Sequence, residues 1–244
     1  MSDDVGVTDA ATDSTPGVWR ALVDDPKHGP LPAALLTLTV VTGLVDAVSI
    51  LALGRVFVAN MTGNVVFVGF ALAGAPGFSL AASLSALAGF LFGAATGGRL
   101  VSTLGKRRAA LVRAGLTIEL ILVTAALVAS AIDGRDLGNL MRDGVAAVLA
   151  VSMGIQNTVV RALKVPDLTT TVLTMTLTGI AADIRTQGTA VALRRLLAVA
   201  TMLGGAALGA VLVIHSQPAT ALAVAVGLIA ASLTFLVAWR RPWA

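Results

Sequence analysis

Residues 31–53 read LPAALLTLTVVTGLVDAVSILAL, and their only charge is Asp46. As a helix this run is about 34 Å long, at about 1.5 Å of rise per residue. That is enough to cross a hydrocarbon layer about 30 Å thick. Core strands and core helices of soluble proteins do not need an apolar run of this length. The stretch therefore reads as a transmembrane helix, and the rest of the chain repeats its pattern.

Seven more apolar segments follow, at about 57–74, 78–101, 109–132, 145–163, 169–184, 196–214 and 219–239. Glycine, proline and charge separate them: Gly54-Arg55, Ala75-Pro76-Gly77, Lys106-Arg107-Arg108, the mixed stretch from Asp133 to Asp143, Lys164-Val165-Pro166-Asp167, and Arg194-Arg195. Composition agrees. Hydrophobic residues make up 57% of the 244 and charged residues 12%, about half of what a soluble surface carries. Mean hydropathy is +0.91. The net charge of +4 would suggest nucleic acid in a soluble chain. Here the bases lie in short loops, where they set membrane orientation. With no cysteine and only His28 and His215, thiolate chemistry is excluded and a histidine-built metal centre is not expected. Residues 1–30 begin with an acidic, polar stretch and read as a disordered cytoplasmic tail.

The two halves, 31–133 and 145–241, resemble each other at a nearly constant offset. Gly43 and Asp46 match Gly154 and Asn157 at 111. Thr62 matches Thr174, Gly93 to Gly97 match Gly205 to Gly209, and Gly115-Leu116 match Gly227-Leu228, all at 112. Matching loops carry opposite charge signatures. Three bases follow the third segment, and none follow the seventh. Two precede the seventh, and none precede the third. An inverted repeat predicts this, and inversion needs an odd number of crossings per half. The short, polar second and sixth segments are therefore expected to re-enter or break rather than span. The resulting fold is an all-α bundle of two inverted three-span repeats, each with one short helix. Both termini, 102–108 and 161–195 then face the cytoplasm of a multi-pass inner-membrane protein.

Gly89, Gly93 and Gly97 line one face of the third segment, and Gly205 and Gly209 one face of the seventh, for close helix packing. The twin spacing places these two segments against each other at the centre. Asp46 is an acid deep in the first segment, where a charge costs about 2.5–3.5 kcal/mol on insertion scales. Its repeat partner Asn157 stands beside Gln156. The second segment opens with Asn60, Thr62 and Asn64, the sixth with Thr171 and Thr174. These side chains satisfy broken backbone at membrane depth, or they hold a solute there. Glu119 is a further buried acid in the fourth segment. Arg113, six residues earlier, points to another helix face and reads as reaching the inner interface with Lys106, Arg107 and Arg108.

The stretches from Gly43 to Ser49 and from Phe57 to Asn64, with Gly154 to Asn157 and Val165 to Thr174, resemble the two signatures of the YoaK-like family of bacterial membrane proteins, a domain of unknown function. Met175 stands where that family favours glycine. The resemblance covers about residues 32–240. It implies a polytopic inner-membrane protein of about six spans and names no substrate.

Two functions stay open. One is a small-solute permease or secondary transporter, with Asp46, Asn60, Thr62, Asn64, Gln156, Asn157, Thr171 and Thr174 at a mid-membrane site. The other is a non-transporting scaffold or accessory subunit, in which the same groups are packing glue. Enzyme activity is not expected, since no nucleophile has a buried base beside it. The expected partners are the bilayer and a small solute or ion, without nucleic acid, metal or cofactor. A homo-oligomer is compatible with the pattern.

Overall fold

The computed structural model describes residue 25 and residues 27–133, 138–166, 168–170, 173–183 and 189–239. Eight helices account for most of them: α1 (Leu31–Ala52), α2 (Met61–Leu72), α3 (Leu80–Leu104), α4 (Arg108–Asp133), α5 (Asn139–Leu163), α6 (Leu173–Asp183), α7 (Thr189–His215) and α8 (Pro218–Ala238). No named strand occurs among the described residues. Six helices are long and apolar enough to cross a membrane: α1, α3, α4, α5, α7 and α8. The other two have 12 and 11 residues. Helices of that length reach only about 18 Å, well short of the hydrocarbon layer. The segments expected to be too short to span are therefore the short helices.

Several boundaries differ from the expected ones. Residues 57–60 form an irregular connection before α2 rather than its first turn. The helix α5 starts at Asn139 and α7 at Thr189, so Arg142, Asp143, Arg194 and Arg195 are helical and not in loops. Charges stop a hydrophobic run without stopping a helix, because backbone bonds continue wherever the side chains meet water. Proline opens α1 and α8 at a position whose N–H has no helical partner. Ser79 caps α3 by accepting from the Ala82 N–H at 3.2 Å.

The strongest packing joins α3 to α5 and α1 to α7. Further contacts run between α4 and α5, α1 and α8, α4 and α8, α2 and α3, α6 and α7, α3 and α4, α7 and α8, and α1 and α5. Exchanging α1–α4 with α5–α8 leaves this set of pairs unchanged.

Glycine makes the two tightest crossings possible. A Cβ on Gly93 would run into the Val151 carbonyl of α5, and one on Gly154 into the Phe90 carbonyl of α3. In the second crossing a Cβ on Gly205 would strike the Val40 carbonyl, and one on Gly43 would lie 2.5 Å from the Met202 carbonyl. Gly89 and Gly97 extend the first contact against Ala147, Ile155 and Thr158, and Gly209 extends the second against Leu44 and Ala47. One expectation is overturned. The described residues of α3 and α7 do not contact each other; each glycine stripe faces the first helix of the opposite half. The reason is complementarity. A glycine face accommodates a backbone best where the partner also has glycine, and Gly43 and Gly154 supply it on α1 and α5.

Candidate functional site

Asp46 lies on α1, 7% exposed. Its Oδ1 accepts from the Val58 and Ala59 N–H groups at 3.3 and 3.2 Å. Asn64 is fully buried on α2. Its Oδ1 accepts from Phe57 N–H at 2.8 Å, and its Nδ2 donates to the Phe57 carbonyl at 2.6 Å. Residues 56–60 have no helical partners of their own, and buried backbone groups must find some. Asp46 and Asn64 provide them from either side, so both side chains hold the α1–α2 connection in place.

Gln156 lies on α5, 3% exposed. Its Nε2 donates to Thr42 Oγ1 of α1 and to Thr170 Oγ1 beyond α5, both at 3.1 Å. It therefore ties the first helix of one half to the first helix of the other. Asn157 beside it is half-buried. Asn60, Thr62 and Thr174 are exposed on the bundle surface. Thr171 lies outside the described residues. The proposed polar set thus separates. Asp46 and Asn64 converge on one connection, Gln156 joins the halves, and three members face outward.

A second polar group completes the picture. Glu119 of α4 is 1% exposed. It borders a cavity of about 20 Å³ between α1, α4 and α5, which is room for about one water. Gln156 borders the same cavity, and the remaining lining residues are aliphatic or glycine. Glu119 Oε1 and Gln156 Oε1 are both buried without a hydrogen-bond partner. Among the described residues, no three His, Asp or Glu side chains gather where a metal ion could bind.

One end of the bundle carries an ionic cluster that no local motif announces. Asp25 Oδ1 accepts from the N–H groups of Lys27 and His28, each at 2.8 Å. Asp25 Oδ2 pairs with Arg194 of α7 at 3.3 Å. Arg108 of α4 donates to the Leu163 carbonyl ending α5 at 2.6 Å, and lies 3.3 Å from His28 Nδ1. A guanidinium only donates, so Nδ1 accepts and the His28 ring is neutral. The described end of the tail is thus packed onto the bundle, with His28 6% exposed. Residues 25, 28, 108, 163 and 194 are too far apart in sequence for spacing to reveal this. Arg113 likewise does more than reach an interface, since its Nη2 donates to the Leu236 carbonyl of α8 at 2.9 Å.

Burial holds the His28 pKa below its ordinary 6.5; Asp25 opposes this, while Arg108, Lys27 and Arg194 reinforce it. The unfolded chain takes up this proton first as pH falls. The contribution of neutral His28 to stability is therefore complete above 6.5 and declines as pH drops below it. Thermal unfolding in detergent should occur at lower temperature at about pH 5.5 than at about pH 7.5. Changing His28 to Gln should reduce that difference; an unchanged difference would show that another group governs it.

The family described as "Protein of unknown function (DUF1275)" matches residues 34–235. The chain is 35% identical over 153 residues to the UPF0700 transmembrane protein YoaK of Bacillus subtilis (strain 168). That match covers 62% of this chain and 65% of the relative, just under two thirds of its length. No solved structure matches. With six helices long enough to span, a family match over most of its length and a transmembrane relative, this chain is a multi-pass membrane protein and belongs to the DUF1275 family.

Proposed function

We propose that the protein is a small-solute permease or secondary transporter of the inner membrane, built from two inverted repeats with a polar site where they meet. The observation that carries this reading is the cavity between α1 and α4 of the first half and α5 of the second. It brings Glu119 and Gln156 together inside an apolar bundle, at a cost that packing alone does not require. The helices α2 and α6, too short to span, the first of them entered through irregular backbone at 57–60, fit the interrupted elements on which transporters build their sites.

Inversion is supported by three long helices in each half and by a packing pattern that survives exchange of the halves. It places the start of α4, the end of α5 and the start of α7 on one face, the cytoplasmic one, with both termini. The contacts of Arg108 with His28 and Leu163, and of Arg194 with Asp25, fit this arrangement. Single cysteines replacing Arg107 and Arg194 in this cysteine-free chain should react with an impermeant maleimide from the same face. Reaction from opposite faces would refute the six-crossing path.

The functional test is uptake into vesicles containing the purified protein, screened across small neutral and charged solutes. At least one solute should enter faster than into protein-free vesicles. Gln156→Leu, which removes the amide between the halves, should slow that entry at least about tenfold, the equivalent of about 1.4 kcal/mol in a barrier. Entry no faster than the protein-free rate for every solute would reject transport.

The scaffold reading draws on a different observation. Asp46 and Asn64 spend their hydrogen bonds on the α1–α2 connection, as structural glue would. A protein that moves no solute but co-purifies stoichiometrically with a membrane partner would favour it.

A further inference from the structure

Glu119 is the only glutamate in the chain. Its environment poses a hydrogen-bonding problem. Glu119 Oε1 and Gln156 Oε1 are buried and unpartnered, and their residues line the same cavity. An ionised carboxylate only accepts, and so does an amide oxygen, so neither oxygen can satisfy the other.

Reversing the Gln156 amide would not remove the charge buried on Glu119. It would also give up the two bonds that the Gln156 NH₂ donates, to Thr42 Oγ1 and Thr170 Oγ1 at 3.1 Å each, while the Thr42 hydroxyl proton goes to the Leu38 carbonyl at 3.0 Å. In the orientation present, the amide oxygen is left without a donor.

No cation rescues the pair either. The cavity lining contains no charged side chain except Glu119. On α4, Arg113 does not line the cavity; its Nη2 donates to the Leu236 carbonyl and its Nε is buried without a partner, while Arg108 is engaged by Leu163 and His28. On α5, Arg161 is exposed, and Arg142 pairs with Asp143 near the start of the helix, away from the cavity. Arg99 on α3 is exposed, and Asp46 on α1 faces the Val58 and Ala59 amides. The described part of α8 has no ionisable side chain.

One additional proton resolves all of this. We propose that Glu119 and Gln156 form a proton-binding site between the two halves, in which Glu119 carries a proton at neutral pH and donates it to Gln156 Oε1, directly or through the single water the cavity admits. A protonated carboxyl is a donor, so both orphan oxygens gain a partner and no net charge is buried. Losing that proton leaves an unpaired anion in an apolar wall, so release requires water to reach the cavity. A site that loads and unloads only when water reaches the carboxyl is what a coupling proton needs; this coupling role rests on the transport reading, whereas proton occupancy does not. The site is single per chain, because the repeat counterparts of Glu119 and Gln156 are Ala231 and Val45.

The lone glutamate makes a direct test available. The full chain is made by cell-free synthesis with glutamate labelled with ¹³C at its side-chain carboxyl. It is reconstituted in phosphatidylethanolamine–phosphatidylglycerol vesicles, and its infrared spectrum is compared with that of unlabelled protein. The difference reports Glu119 alone, with no mutation and no transport needed. The expected result at neutral pH is the carbonyl stretch of a protonated acid, shifting to the position of a non-hydrogen-bonded acid in Gln156→Leu. A carboxylate signal at neutral pH would overturn proton occupancy, and an unmoved carbonyl band in Gln156→Leu would overturn the pairing. The coupling role has a separate readout, a pH dye inside the vesicles. Solute entry should carry protons in the wild type, whereas in Glu119→Gln solute should move downhill with no proton flux. Proton flux unchanged in that variant would reject coupling through Glu119. Absence of any solute entry would reject the transport reading and leave the infrared result to decide the site.

Discussion

Gly93→Ala is expected to destabilise the bundle by about 3 kcal/mol or more, at the upper end of overpacking costs. The added methyl would run into the Val151 carbonyl and lie 2.8 Å from that residue's carbonyl carbon. Both are backbone atoms held in the α5 ladder, so no rotamer change makes room, and α3 must move away from α5 along the whole crossing. Gly98, one residue from the same stripe, is the control. Nothing lies within 4 Å of a Cβ built there. Gly98→Ala should be neutral or stabilising by up to about 1 kcal/mol, because alanine is the better helix former. Thermal or denaturant unfolding of the detergent-solubilised protein reads both. Because Gly154 shares the crossing with Gly93, a Gly93→Ala, Gly154→Ala double variant should lose less than the sum of the single losses. Equal effects at Gly93 and Gly98 would show that helix propensity, and not the close approach of α3 to α5, governs this site.

Asp46→Leu is expected to lose about 3 kcal/mol, whereas Asp46→Asn should stay within about 1 kcal/mol of the wild type. The difference follows from what Asp46 does. Its Oδ1 is the acceptor for two buried N–H groups, those of Val58 and Ala59, and leaving a buried donor unsatisfied costs about 1–3 kcal/mol. Leucine removes the acceptor, whereas asparagine retains one oxygen in the same place. Hydrogen exchange at the Val58 and Ala59 amides should accelerate in the leucine variant and remain slow in the asparagine variant. If asparagine proves as damaging as leucine, the carboxylate matters for its charge, and the hydrogen-bonding role assigned here fails.

These two cases separate what could be read locally from what could not. The Gly89, Gly93 and Gly97 stripe was visible as a spacing, because a helix repeats its faces every three to four residues whatever surrounds it. The identity of its partner was not. Nothing in the third segment distinguishes α5 from α7, and the expectation that the two stripes meet was wrong. Asp46 was visible as an anomaly, since an acid in an apolar run must have a reason. That its acceptor serves the α1–α2 connection depends on how the chain doubles back after Leu53, and no periodicity encodes that. Asn60, Thr62 and Thr174 show the opposite failure. Their polar character at short segments suggested a central site, yet they lie on the bundle surface.

Membrane character, the six long helices and the two short ones follow from the chain alone. Hydrophobic length measured against bilayer thickness is a one-dimensional constraint, and each segment meets it independently of the others. Only the tertiary structure decides which faces meet: α3 on α5, α1 on α7, and Glu119 of α4 beside Gln156 of α5. In a bilayer the outside of a helix is as apolar as its inside, so no amphipathic stripe orients it. Rotation and partner are set instead by where glycine backbones interlock and where a few buried polar atoms find each other, and those choices exist only once all the helices are in place.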